Sequence, residues 1–548
     1  MSKSKILCLV LALLFLVAVG CGPSDPDPVD PVDPDPVDDP PDDGPRQGGT
    51  LTIGYHREPS NLHPGQTTGL PDIMLNILVY DSLVMHDENM DLHPSLATSW
   101  DVSEDGLTWV FHLRDDVVFH SGNPLTAHDV KAHFDRWKEA PTAVKIGSLD
   151  STEVLDDHTV QFNLAYPTLV FLNMISQTEW GYGGIPENAM VEQYGEDYGI
   201  VPESISGTGP FKVAEWVRGY RVVLDRNEDY VWGTEAYENQ GPAHLDRVII
   251  RTIPESATRT AALDTGDIDM DISVSPHDAG MLEGMPGLNL FTMPKLSANQ
   301  LGFNMTHPIA SEDEVRFAFA HAINQQEIVD MAWNGYAEPT VGFWHPSVEG
   351  STPEAEIRPY HRQFDPDKAS QILDEAGWVA GSDGGRTKDG TPLELDLYVY
   401  TGVQEDVAVV IQEQLRNIGA EINIRAMELP AVQEAVRANQ HHMRYVDGTH
   451  STADFAYWFV TDSIPLPNYL YWSDEKFDSL FEITQTTVDN SERVQAFQDI
   501  EKRILETQVM IPMPHHMWLV GHRDGVHLGT FHPIHGIYRL MDTWLEDN

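Results

Sequence analysis

Two adjacent histidine pairs, His441-His442 and His515-His516, are the first residues in this chain that could hold a metal. Successive side chains point to opposite faces of a strand and lie about 100° apart on a helix, so neither pair is a natural chelate. Asp267, Asp269 and Asp271 alternate as calcium ligands do, but the glycine that a calcium loop needs at its sixth position is missing. The interleaved Ile268, Met270 and Ile272 predict instead a strand with one wet, acidic face. Gly207-Thr208-Gly209-Pro210-Phe211 is glycine-rich, yet no Gly-Lys-Ser/Thr follows to cradle phosphate, and a tight turn into a strand fits it better. His-Glu-x-x-His and Gly-x-Ser-x-Gly are both absent from the sequence. No catalytic residue, metal or cofactor is expected from these residues.

The stretch from Ala97 to Trp137 reads as a packed platform, a hairpin feeding a helix. Ser103-Glu104-Asp105-Gly106 are turn formers between two runs. Leu107, Trp109, Phe111 and Leu113 alternate with polar positions, the period of a strand with one apolar face. Val117-Val118-Phe119 reads as a second short strand. Thr126 and Asp129 have capping-box spacing, and Val130, Phe134 and Trp137 form the apolar stripe of the helix that follows. Gly48–Gly54 predicts the first strand of the body, and Ile73–Leu83 a helix. Thr258–Leu263 is a short helix stopped at Gly266, Ser311 and Glu314 form a second capping box, and a helix runs from Asp365-Pro366 to Gly377. Leu393 to Val399 alternate as a strand. Val407, Ile411 and Leu415 stripe a helix that Gly419 ends, and Ile422, Ile424 and Ala426 give another strand. This βαβ unit requires a partly parallel sheet and an α/β fold. Ligands of open α/β sheets sit beyond the carboxyl ends of the strands, which directs attention to Tyr400-Thr401-Gly402-Val403-Gln404.

The 548 residues are enough for three or four domain-sized units. With 86 acidic against 33 basic residues, a formal charge of −53, nucleic acid and anionic membrane surfaces are poor partners. Lys3 and Lys5 precede an apolar run from Ile6 to Val19, which has the make-up of a signal peptide over residues 1–20. Ala18-Val19-Gly20-Cys21 resembles a bacterial lipobox, and the resemblance implies cleavage before Cys21 and lipid attached to it. Cys8 would be discarded, leaving no pair for a disulfide in the mature chain. Residues 22–45 are Pro and Asp with a few Val, too polar to bury a core. As an extended tether this segment spans roughly 70 Å.

The order Leu-Ala-x-Ser-Trp, an acidic glycine turn, Trp-x-Phe-x-Leu-Arg and Leu-Thr-Ala-x-Asp-Val resembles the solute-binding proteins of oligopeptide, dipeptide and nickel ABC importers. These are the class-C periplasmic binding proteins, bacterial extracellular solute-binding protein family 5. Gly-Thr-Gly-Pro-Phe at 207–211 and the Asp-Pro helix ending Ala-Gly-Trp at Trp378 are two further hallmarks. The resemblance implies a periplasmic-binding-protein type II-like α/β fold, with two main lobes and an extra domain around a hinged cleft. It assigns 46–93, 206–297 and 511–548 to a discontinuous lobe I, 94–205 to lobe II and 298–510 to lobe III. It also implies a monomer that closes on a small solute, an oligopeptide above all, and hands it to the transmembrane subunits of a permease. The membrane is met only through lipid on Cys21, on the extracytoplasmic side. An oligosaccharide or a nickel complex is the alternative cargo; an exported hydrolase or a ligand sensor is the alternative class. Cleft candidates are Tyr55, Asn61, His63, Tyr182, Asn299, Asn304, Trp344, Tyr400, Thr449, His450, Ser451, Asp454 and Trp458. The family's peptide binders carry an Asp for the ligand's amine where Ser451 stands, and its dipeptide binders an Arg after the strand at 395–400. No Arg occurs between Tyr398 and Asp406. A dipeptide clamped at both termini is therefore disfavoured against a longer peptide or an oligosaccharide.

Overall fold

Leu51, Ile53 and Tyr55 alternate along Thr50–Tyr55 and give the strand one buried apolar face, and this strand lies inside the largest sheet. The computed structural model describes residues 44–66, 69–140, 146–168, 171–176, 182–448, 452–531 and 540–546, with the backbone alone at 453–454. The expected signal segment, Cys21 and the tether lie outside the described residues, as do Trp180 and Gly181. Across the sheet the order is Leu288–Pro294, His515–Arg523, Met270–Asp271, Thr50–Tyr55, Arg247–Thr252, Arg221–Arg226 and Phe211–Val217. Thr50–Tyr55 runs parallel to both neighbours, and the other pairings are antiparallel. Ala337–Glu338 adds a short pairing to His516 and His515.

A second sheet is ordered Glu421–Met427, Glu394–Tyr400, Met443–Val446, Gln300–Phe303 and Met510–Pro512. Its first two pairings are parallel, and the helix Val403–Arg416 makes the crossover with Val407, Ile411 and Leu415 buried. The βαβ reading thus holds. The third sheet, Ala97–Val102, Thr108–Leu113, Thr159–Leu164 and Leu149–Asp156, is wholly antiparallel. Helix Ala127–Trp137 lies on it, with Phe134 edge-on to Phe162 at 4.9 Å and Phe162 edge-on to Phe111 at 5.5 Å. Three such rings, each burying a large apolar area, lock helix to sheet.

The Asp129 carboxylate accepts from the Thr126 backbone N–H at 3.1 Å and from its hydroxyl at 2.8 Å, closing the start of that helix. Replacing Thr126 with Ala is expected to cost about 1 kcal/mol. The urea midpoint falls while the slope of the transition stays the same.

Four local expectations fail for physical reasons. Val117–Phe119 forms no ladder strand: only Val118 bridges, to Pro124, and a proline without an N–H cannot extend the pairing. The helix expected over 73–83 runs from Leu70 to Val79, because Tyr80 is extended at φ −120° and the chain then enters the strand Val84–His86. Ser311 does not cap the next helix; its N–H donates to the His307 carbonyl in the preceding turn, and Asp313–Ala322 starts after Glu312. The acids at 267–271 do not share one wet face. Asp267 is exposed, Asp269 half-buried, and Asp271 fully buried against Arg259, because the short strand Met270–Asp271 is an inner strand under the helix Ser256–Thr265.

Candidate ligand-binding site

Met443-Arg444-Tyr445-Val446 is buried at all four positions, which is unusual for a strand carrying an arginine. Met443 and Tyr445 enter the apolar core shared with Leu397, Val399 and Ile411. Arg444, on the other face, is only 4% exposed. Its guanidinium donates to the Tyr400 hydroxyl. Its central carbon sits 4.9 Å from the Tyr469 ring centroid and 5.6 Å from that of Tyr400. The Nε has no hydrogen-bond partner, and no carboxylate among the described residues is at ion-pair distance. A cation held this deep by two aromatic faces, with no carboxylate of the described residues at ion-pair distance, is costly unless something anionic completes it.

Polar groups gather around it at the carboxyl end of Glu394–Tyr400. Gln404, in the first turn of the following helix, accepts the Tyr400 N–H at 2.9 Å and donates its amide to the Asp447 carboxylate. Lys295 Nζ rests 4.8 Å over the Trp518 ring, and Asp447 acts on its charge while burial pulls its pKa down. Gln300 is fully buried, with its side-chain amide against the Tyr469 phenol. Burial also pushes the Tyr400 and Tyr469 phenols up, so both remain protonated donors. The group offers cationic Arg444 and Lys295, anionic Asp447, and neutral donors between them.

Of the expected cleft residues, Tyr400 belongs to this cluster. Thr449, His450 and Ser451 lie outside the described residues, as does the side chain of Asp454. Trp458 is half-buried and packs on the aromatic core that holds Tyr469. Asn299 is fully buried and donates to the Pro514 carbonyl at 2.6 Å, and Asn304 closes a turn through Thr306, Asn439 and His441. The Asn304 amide serves the scaffold, whereas Asn299 uses its Nδ2 there and leaves its Oδ1 buried without a partner. Tyr55 is buried against His56, and Asn61 accepts the His63 N–H. His63 packs edge-on to Tyr198, and Tyr182 packs on Trp137 while its carbonyl accepts from His133 at 2.9 Å. Trp344 lines a separate cavity. Arg444, Gln300 and Tyr469 were missed; the one signal was a charged residue inside an otherwise apolar four-residue strand.

The histidine pairs part as expected. His441 donates to the Tyr469 carbonyl at 2.6 Å, whereas His442 accepts the Asp396 N–H and stacks on His307 at 3.8 Å. His515 meets the Thr340 hydroxyl, and His516 lies flat on Trp333 at 4.5 Å. Among the described residues no three His, Cys, Asp or Glu side chains are grouped to hold a metal ion. Nor is any helix there long and apolar enough to cross a membrane.

A sequence model of the bacterial extracellular solute-binding proteins, family 5, matches residues 91–476. The chain belongs to this family. It is 27% identical to the oligopeptide-binding protein AppA of Bacillus subtilis over 521 residues, covering 91% of this chain and 92% of AppA. It is 27% identical to the glutathione-binding protein GsiB of Salmonella typhimurium over 455 residues, covering 79% and 82%. The solved structure of DppA from Helicobacter pylori, an ABC transporter-associated periplasmic binding protein in complex with the peptide STSA, is 26% identical. It superposes with a TM-score of 0.76 over 92% of this chain and 99% of that one. The family 5 protein described here is thus an extracellular solute-binding protein with the α/β periplasmic-binding-protein fold, as the sequence motifs implied. Its Arg444 cluster stands where open α/β sheets take ligands.

Proposed function

We propose that this protein captures a peptide-like solute, an oligopeptide, in a cleft between lobes and delivers it to a membrane permease without altering it. The lobes are 46–93 with 206–297 and 511–548, then 94–205, then 298–510, and closure is a hinge motion between them. The protein works outside the cytoplasm as a monomer, held to the membrane by lipid on Cys21 and set off from it by residues 21–45. The observation that carries the peptide reading is the buried Arg444 guanidinium beside Tyr400, with no carboxylate of the described residues paired to it. A peptide carboxylate supplies the missing charge, and Asp447 is available to the amine of a zwitterion. Relatives that bind an oligopeptide and glutathione, both of which carry free carboxylates, support the same chemistry.

Arg444 on this reading recognises a carboxylate through charge-assisted hydrogen bonds, which contribute about 1.5–3 kcal/mol each. Replacing Arg444 with Met keeps an unbranched apolar stem and deletes the charge. Titration calorimetry with a tetrapeptide acid is expected to show binding weakened roughly 10- to 150-fold. The C-terminal amide of the same peptide should bind the wild-type protein weakly and lose little more in the variant. Equal binding of acid and amide by the wild type would remove the carboxylate from the site.

A further inference from the structure

His277 is exposed, yet both of its ring nitrogens are engaged by residues from another part of the fold. It stands in the first turn of the helix Pro276–Leu282, whose Ala279 and Leu282 share an apolar core with Leu263 and Leu519 of the large-sheet unit. Its Nε2 lies 3.2 Å from the Asp406 carboxylate, and its Nδ1 lies 3.2 Å from the Asn334 amide nitrogen. Asp406 is in the first turn of Val403–Arg416, and Asn334 follows the helix Gln325–Ala332. Those two helices pack in the core of the second sheet, through Val407 and Ile411 and through Ile328 and Val329. One imidazole therefore bridges two separate apolar cores.

The neighbours of the ring fix how it bonds. Asn334 Nδ2 also donates to the Pro276 carbonyl at 3.0 Å, and a carbonyl can only accept, so the atom facing Nδ1 is the amide NH2. Nδ1 is then the acceptor, and Nε2 carries the hydrogen that is donated to Asp406. Both arms are held in place. Asn334 has φ +48°, a left-handed conformation that asparagine tolerates. Ser275 caps the helix that carries His277, accepting the Asp278 N–H at 3.2 Å, and the buried Arg259–Asp271 pair fixes the strand that leads into it.

The two helices that meet here each begin a few residues past the end of a strand, Met270–Asp271 in one sheet and Glu394–Tyr400 in the other. Asp406 is two residues from Gln404, the member of the Arg444 cluster that accepts the Tyr400 N–H and donates to Asp447. We infer that His277 is a positioning residue for the Arg444 site. It clasps the two cores together, steadies the turn that carries Gln404 and slows the release of bound solute. The last step rests on reading the Arg444 cluster as the solute site; the clasp itself does not. Both partners are about half exposed, so the bond shifts an equilibrium only a few-fold.

Hydrogen–deuterium exchange of the solute-free full chain reads the clasp directly. His277→Ala should speed exchange of the amides at 403–407 by about 2- to 5-fold. His277→Gln, whose amide donates and accepts as the neutral ring does, should restore most of the protection. Stopped-flow release of a bound tetrapeptide acid should quicken by about 2- to 5-fold in His277→Ala and return toward the wild-type rate in His277→Gln. Unchanged exchange in His277→Ala, or no rescue by His277→Gln, would overturn the clasp. Faster exchange with unchanged release would overturn the positioning role. Faster, rescued exchange in a protein whose wild type binds no tetrapeptide acid would support the clasp and strike the peptide reading instead.

Discussion

Lowering the pH from 6.5 to 4.5 is expected to remove roughly 5–8 kcal/mol of stabilisation through three buried histidines. His133, His441 and His515 carry the effect. Burial holds His133 down to about 3 and the other two to about 4. Each ring already uses one nitrogen, on the Tyr182 carbonyl, the Tyr469 carbonyl and the Thr340 hydroxyl respectively. The other nitrogen, Nδ1, is buried without a partner in His133 and His441, so a second proton there would have nowhere to bond, whereas at His515 the Ser297 backbone offsets part of the burial. The folded pKa lies below the unfolded value near 6.5, so the unfolded chain binds more protons in between. Stability is therefore fully present above pH 6.5 and is lost as pH falls toward 4. Three sites change it by up to about 4 kcal/mol per pH unit. Asp72, Asp271 and Glu501 oppose this, since burial raises their carboxyls and the folded state gains protons there. Urea titrations at pH 7, 6, 5 and 4.5 measure the balance. A flat stability between pH 7 and 5 would refute it, and His441→Gln, which keeps a donor for the Tyr469 carbonyl, should remove about one proton from the slope.

Arg259→Met is expected to cost about 3–5 kcal/mol, the second large effect. Arg259 is 2% exposed and Asp271 wholly buried, with Nε and Oδ1 3.0 Å apart. The guanidinium also donates to the carbonyls of Ile253 at 2.9 Å, Pro254 at 2.8 Å and Ser273 at 2.5 Å. Removing it strands a carboxylate and three carbonyl oxygens beneath the helix Ser256–Thr265. Asp271→Leu in the same protein should recover part of the loss, because the stranded charge is then gone. Chemical denaturation of the two single variants and the double variant tests this; strictly additive losses would show that the pair does not act as a unit.

That ion pair also marks where sequence reading stops. Asp267, Asp269 and Asp271 alternate with apolar residues, and alternation by itself says half-wet strand. Their actual environments depend on a partner twelve residues upstream and on strands from both ends of the chain, which no local period encodes. The same holds for Arg444. Its strand was too short for a pattern, and the rings that hold it come from positions 400 and 469. Asn299 and Asn304 looked like cleft amides because residue type suits both a ligand and a backbone carbonyl, and only packing says which is present.

Local chemistry was legible wherever one stretch of chain settles the matter. Thr126 with Asp129, Asp365-Pro366 with Gly377, and the stripe of Val407, Ile411 and Leu415 state helices outright, since caps and 3.6-residue periodicity act within a few residues. From these and the family motifs came the α/β class and the solute-binding role. Tertiary structure alone decided which polar side chains lose water without finding a partner, because burial is set by residues far apart in sequence. Arg444, at the end of one sheet, is such a side chain: it is 4% exposed and its Nε has no hydrogen-bond partner.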